Sequence, residues 1–155
     1  MSISKIIPLT KKEQEEWPSS PLVNLEKPFV DVRGSIQPLV DLMMRSAVMI
    51  ESKAGSLRAN HYHKTDWHYC YVLSGQIRYF YRDLKSNKKP ELLIVEKGQM
   101  VFTPPLVEHC MKFDVDTLFL TLSRNPRDQE TYEQDVVRVN LIDTSDSISW
   151  KPGDD

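Results

Sequence analysis

At 155 residues, 40% of them hydrophobic and 27% charged, the chain has the length and composition of one soluble globular domain with a single core. Its formal net charge of -2, with lysine and arginine scattered along the sequence, excludes the basic footprint of a nucleic-acid or anionic-membrane binder and points to a small-molecule partner. No apolar run approaches the ~20 residues of a membrane span, and residues 1–17 turn to charge before a signal-peptide core can form, so the expected location is cytoplasmic.

In chain order, Thr10 followed by Glu13 is a capping-box pattern that predicts a short helix over 11–17, ended by Pro18. Residues 1–45 read as an N-terminal arm carrying this helix and a strand able to swap between the subunits of a dimer. From Ser46 the chain breaks into short strands at 47–51, 57–63, 68–73, 76–82, 92–95, 100–103, 109–113 and 118–122. Turn chemistry separates them: Lys64-Thr65-Asp66, Ser74-Gly75, Lys85-Ser86-Asn87, Lys97-Gly98 and Asp114-Val115-Asp116. Short strands at close, regular spacing predict an all-β sandwich or barrel with its core in 46–125. Residues 126–155 supply a C-terminal strand and an irregular tail, loosely attached from Asp143 onward. Cys70 and Cys110 form no CxxC pair and read as buried free thiols. Met43, Met44 and Met49 read as core, and Trp67 as a packing or rim residue.

All four histidines fall into one pattern. Gly55, five residues, His61, one, His63, four, His68, six, Gly75 is followed by Gly98, five residues, Pro104, four, His109. Alternation puts His61 and His63 on the same face. His68 has the wrong parity, so a hairpin turn at 64–67 must reset the phase. His68, Cys70 and Val72 then face inward, and Ile77, Tyr79 and Tyr81 line the same cavity from the next strand. The Pro104-Pro105 pair suits a strand boundary before His109. Imidazole suits Fe, Zn, Cu, Ni and Mn alike, so the set does not choose a metal. Four neutral ligands leave a dication uncompensated, which favours an anionic ligand such as an enolate or carboxylate. In the metal-free alternative the same histidines bind substrate or act as bases. The tyrosines Tyr69, Tyr71, Tyr79 and Tyr81 read as packing residues, one of which could serve as an acid at the cavity mouth.

These spacings resemble the two signature motifs of the cupin superfamily, with His68 where most metal-binding cupins carry glutamate. The resemblance implies a double-stranded β-helix, or jelly-roll, barrel with a divalent transition metal (Fe, Ni, Mn or Zn) on His61, His63, His68 and His109. A second likeness runs through Asp31-Val32-Arg33-Gly34, Gly55 to Tyr62, Leu73 to Ile77, Pro104-Pro105 and His109. These segments are similar to the dTDP-4-dehydrorhamnose 3,5-epimerases and the dTDP-keto-sugar 3,4-ketoisomerases of bacterial surface-polysaccharide synthesis. What it implies is a homodimer acting on a sugar nucleotide, with a basic histidine at His61. Those families work without a metal and do not carry His68. On this reading His61, Arg58 and Tyr79 are the catalytic candidates, and Arg58, Tyr79, Tyr81, Met111 and Phe113 the substrate-binding ones. A mononuclear Fe(II) dioxygenase acting on an enolisable compound, and a non-catalytic small-molecule-binding barrel, are the competing functions.

Overall fold

The computed structural model describes residues 4–151. Its first element is the capped helix. The Thr10 hydroxyl accepts from the Glu13 N–H at 3.2 Å while the Glu13 carboxylate accepts from the Thr10 N–H at 2.9 Å, and α1 (Lys11–Glu15) ends before Trp17. The hairpin β1 (Phe29–Asp31) and β2 (Gly34–Ile36) follows, and the expected strands come next. They are β3 (Ser46–Ser52), β4 (Leu57–His63), β5 (His68–Ser74), β6 (Gln76–Asp83), β7 (Glu91–Glu96), β8 (Met100–Thr103), β9 (Val107–Lys112) and β10 (Thr117–Ser123). A second helix, α2 (Gln129–Asp135), leads into β11 (Val136–Arg138). The β1–β2 hairpin and α2 were not anticipated from sequence, whereas β11 lies in the stretch where a C-terminal strand was expected.

The strands form two antiparallel sheets packed face to face, in the order β3-β10-β5-β8 and β11-β4-β9-β6-β7, and this is a jelly roll. Cys70, Val72, Ile77, Tyr79, Val95, Val101, Met111, Phe113 and Phe119 fill the space between the sheets. Both outer faces are covered by the chain's own ends. Leu9, Trp17, Val23, Leu25, Leu39 and Leu42 of the N-terminal arm pack on Tyr69, Met100 and Phe102 of the four-stranded sheet, so most of the arm is spent on its own subunit. Leu141 covers Leu57 and Cys110 on the five-stranded sheet. Met43, in the segment before β3, and Met49 are exposed rather than core; β3 is an edge strand and Met49 lies on its outward face.

The C-terminal segment is irregular but fastened: Ile148 exchanges backbone hydrogen bonds with Gly55 and Leu57 at 2.9 and 2.8 Å. At the β5–β6 turn Gly75 has φ +88°, and a Cβ there would strike Thr117 and the Asp116 carbonyl, so only glycine fits. Cys70 and Cys110 are free and buried, and burial pushes each thiol up to about 12. Among the described residues no helix is long and apolar enough to cross a membrane.

Candidate functional site

The antiparallel pairing of β4 with β9 sets His61 opposite His109. His63 follows on the same face, and His68 enters from β5 of the other sheet. The link at 64–67 is therefore a crossover between sheets rather than the expected hairpin turn, and it brings His68 to the cluster from across the sandwich. Ring centroids lie 4.7 Å apart for His61 with His63 and with His109, 5.6 Å for His63 with His68, and 5.4 Å for His68 with His109. All four imidazoles are buried.

Several of these rings have partners that fix their orientation. His109 Nδ1 is 2.9 Å from the Val107 carbonyl, which can only accept, so Nδ1 carries the proton and Nε2 keeps its lone pair. His63 Nδ1 lies 3.3 Å from Asp135 Oδ2, off the ideal hydrogen-bond direction. Asp135 is itself held by the Thr65 N–H and hydroxyl at 2.9 and 2.6 Å and by the Asp66 N–H at 2.9 Å. Burial works against its ionised form, but contacts with His63 and Thr65 and the Asp66 N–H outweigh it and leave the carboxyl below its ordinary value. Asp66, also buried, accepts from the Asn125 N–H at 2.9 Å, and burial lifts it to about 6.

Burial and the neighbouring imidazoles push His61 and His68 well below 6.5, and His109 falls to about 3, so these rings are neutral at neutral pH. Ligand atoms of His61, His63 and His109 lie within 4.8 Å of one another, as do those of His63, Asp66 and His68. Neutral, convergent imidazoles with outer hydrogen-bond partners fit a divalent transition metal. Asp66 and Asp135 alter the charge expected from sequence, since two carboxyl groups stand beside a ligand set read as wholly neutral.

A cleft of about 750 Å³ opens beside β4, and His61 is the histidine of the cluster that lines it. Tyr132 of α2 forms part of the wall, with its hydroxyl 3.5 Å from His61 Nδ1. The Arg127 guanidinium stacks on the Tyr132 ring at 3.8 Å and makes no hydrogen bond or ion pair among the described residues. Burial raises the Tyr132 phenol, keeping it protonated, although Arg127 and Arg138 pull the other way. Arg58 lines the cleft too, but its guanidinium is engaged, donating to Ser52 Oγ at 2.7 Å and to the Glu51 carbonyl at 2.8 Å, and so ties β4 to β3 of the opposite sheet.

Of the candidates chosen from sequence, the four histidines come together, and Arg58 and His61 reach the cleft. Tyr79, Tyr81, Met111 and Phe113 do not line it. Tyr79, Met111 and Phe113 face inward as part of the apolar core between the sheets, and Tyr81 packs against it. Tyr79 bonds Thr103 Oγ1 at 2.8 Å, its hydroxyl raised by burial, and Tyr81 stacks on the Tyr79 ring at 5.4 Å. Trp67 is a packing residue whose indole N–H donates to Glu13 at 2.8 Å. Sequence reasoning missed Tyr132, Arg127, Asp135 and Asp66. A signal for the first three existed: Asp128 three residues before Thr131 is an N-cap pattern, and its carboxylate does accept the Thr131 N–H.

No protein-family model matches the sequence, and no curated protein matches it. Solved structures do. A dTDP-4-dehydrorhamnose 3,5-epimerase from Sulfolobus tokodaii aligns over 84% of this chain and 90% of its own, with TM-score 0.64 and 16% identity. A 3,4-ketoisomerase from Helicobacter canadensis aligns over 77% and 90%, with TM-score 0.64 and 16% identity. A sugar 3,4-ketoisomerase from Thermoanaerobacterium thermosaccharolyticum, solved with TDP, aligns over 77% and 87%, with TM-score 0.62 and 17% identity. The chain shares the cupin fold of these sugar-nucleotide enzymes.

Proposed function

We propose that the protein isomerises or epimerises a nucleotide-activated keto-sugar by moving a proton α to the ketone. The observation that carries this reading is the pairing of His61 with Tyr132 in the wall of an open cleft, beside Arg127, which stacks on the Tyr132 ring and makes no hydrogen bond or ion pair among the described residues. Such a reaction needs a group that takes a carbon-bound proton near neutral pH and a donor for the developing enolate. His61, held neutral by burial, and Tyr132, held protonated, supply that pair at the cleft wall. Arg127 is placed to receive a phosphate of the nucleotide, which Arg suits through its planar fork of donors. TDP bound to a protein of the same fold supports a nucleotide in this role.

The four histidines would hold a divalent metal, their ligand-spaced atoms falling into two sets that share His63: His61, His63 and His109, and His63, Asp66 and His68. When bound, the ion would supply Lewis-acid stabilisation of the enediolate oxygen. A ligating neutral imidazole has no second lone pair, so with a metal bound His61 would serve as ligand, and it takes the carbon-bound proton only in the metal-free protein. The test is incubation with a panel of nucleotide-linked 4-keto-6-deoxyhexoses in deuterated water, followed by NMR. Deuterium should enter one carbon-bound position and fail to do so with His61→Ala. No exchange with any member of the panel would sink the proposal.

A further inference from the structure

Along β4, alternation by itself would turn His61 and His63 away from the cluster. Leu57 lies on the outer face of the five-stranded sheet, packed with Cys110 and Leu141, and Ala59 sits opposite Cys110 on that same face. Continued regularly, the odd-numbered residues His61 and His63 would also point outward. The register instead shifts between Ala59 and His61, so that His61 rather than Asn60 comes opposite His109. The shift is a β-bulge built from two successive residues in the left-handed region, Ala59 at φ +67° and Asn60 at φ +64°. Neither is glycine, and such a conformation persists only where surrounding contacts hold it.

Those contacts come from the C-terminal segment. The Asn60 amide donates to the Ile142 carbonyl at 2.9 Å and accepts from the Leu141 and Ile142 N–H groups at 3.0 Å each, and the Asn60 carbonyl accepts from the Val139 N–H at 2.9 Å. Leu141 is anchored in the outer apolar cluster, so the segment cannot slide without losing that packing. The amide of Asn60 thus exchanges three bonds with a strap of backbone that has no other strand partner there.

We infer that Asn60 is a positioning residue: its amide, clamped by residues 139–142, locks the bulge that reverses the phase of β4 and aims His61 and His63 into the cluster. The inference goes beyond the isomerase reading. It concerns where two imidazoles point, and it stands whether they ligate a cation, serve as bases or do neither. Bulges beside functional sites re-aim side chains in this way.

The test is residue-resolved carbethoxylation of metal-free protein by diethyl pyrocarbonate, read by peptide mass spectrometry. In the native protein all four buried histidines should react slowly. Asn60→Ala should raise the rates at His61 and His63 several-fold while His68 and His109, on other strands, stay protected. Asn60→Gly tolerates the positive φ but lacks the amide, and it should give the same selective pattern if the alanine variant fails to fold. Asn60→Asp keeps the acceptor for Leu141 and Ile142 but sets an oxygen against the Ile142 carbonyl, and should give rates at His61 and His63 between those of the native and alanine proteins. A uniform rise at all four histidines would mark Asn60 as merely structural and overturn the inference. No rise in the alanine or glycine variant would overturn it equally.

Discussion

Replacing Asp135 by Asn removes one charge and exchanges one acceptor oxygen for a donor, in a pocket where every facing group is a donor. Asp135 receives the Thr65 N–H and hydroxyl on one oxygen and the Asp66 N–H on the other, from which His63 Nδ1 lies 3.3 Å away off the hydrogen-bond direction. In either amide orientation a buried N–H is left facing an NH2 group. Losing one charge-assisted hydrogen bond and stranding its donor costs about 2–3 kcal/mol, which for a chain of this length lowers Tm by roughly 4–12 °C. The amide nitrogen beside His63 also favours the tautomer with Nε2 protonated, the wrong one for a ligand whose Nδ1 should donate outward. Loss of such an outer partner weakens metal binding by about 10–100-fold, equivalent to roughly 1.4–2.8 kcal/mol. Differential scanning calorimetry reads the first effect, and calorimetric titration of the chelator-treated protein with Zn²⁺ or Mn²⁺ reads the second. A variant with unchanged Zn²⁺ affinity and a Tm within about 1 °C of the parent would refute the role given to Asp135.

Tyr132→Phe should reduce keto-sugar proton exchange by about 10²–10⁴-fold, the usual contribution of a positioned acid or base, with little change in Tm; full exchange would remove Tyr132 from the proton-handling pair. Arg127→Ala should raise KM for a nucleotide sugar by about 10–100-fold, the worth of one hydrogen bond between charged groups, and leave kcat nearly unchanged, since steady-state kinetics would then have separated binding from chemistry. Stability should be full above pH 6.5 and fall as the pH drops below it. The unfolded chain takes up protons on His61, His68 and His109 near 6.5, whereas the folded chain resists, His109 down to about 3. Asp66 opposes this between about 6 and 3.8, where folding binds a proton, but it is one group against three, so chemical denaturation across pH should show a net loss. Finally, the hairpin of β1 and β2 leaves Phe29, Val30, Val32 and Ile36 exposed and unpaired with either main sheet, and we expect it to join two copies in a homodimer. Light scattering should give twice the chain mass, reduced to one by Phe29→Ser with Ile36→Ser; a monomeric native protein would contradict it.

The strands from β3 to β10 were legible because each is a short stretch of β-favouring residues bounded by turn residues, alternating in β3 and continuously buried in β8. The hairpin was not, since its strands are three residues each and bury almost nothing, leaving no alternation to read. Helix α2 was hidden for a similar reason: Gln-Glu-Thr-Tyr-Glu-Gln-Asp has no apolar stripe of helical period, and only its cap announces it. A C-terminal strand was expected in 126–155, but its position at Val136–Arg138 is set by pairing with β4, which no local pattern records.

At the site, motif spacing identified the four histidines as a set. Asp66 stands between His63 and His68 in the sequence, whereas Asp135 and Tyr132 meet the set only through the tertiary fold. Alternation also indicated correctly that Cys70, Val72, Ile77 and Tyr79 face inward, but it cannot say whether the interior is a cavity or a packed core. Here it is packed, and the open space lies beside β4. Even the inward aim of His61 and His63 depends on a bulge that simple alternation along 57–63 does not contain.

The central claim is that the four histidines form one metal-competent centre, and elemental analysis of the untagged protein beside a His68→Ala variant tests it most directly. The account requires near-stoichiometric Fe, Ni, Mn or Zn in the native protein, or stoichiometric uptake on reconstitution, lost or strongly weakened in the variant. A metal-free native protein that also refuses reconstitution would contradict it and leave the histidines as bases and substrate ligands alone.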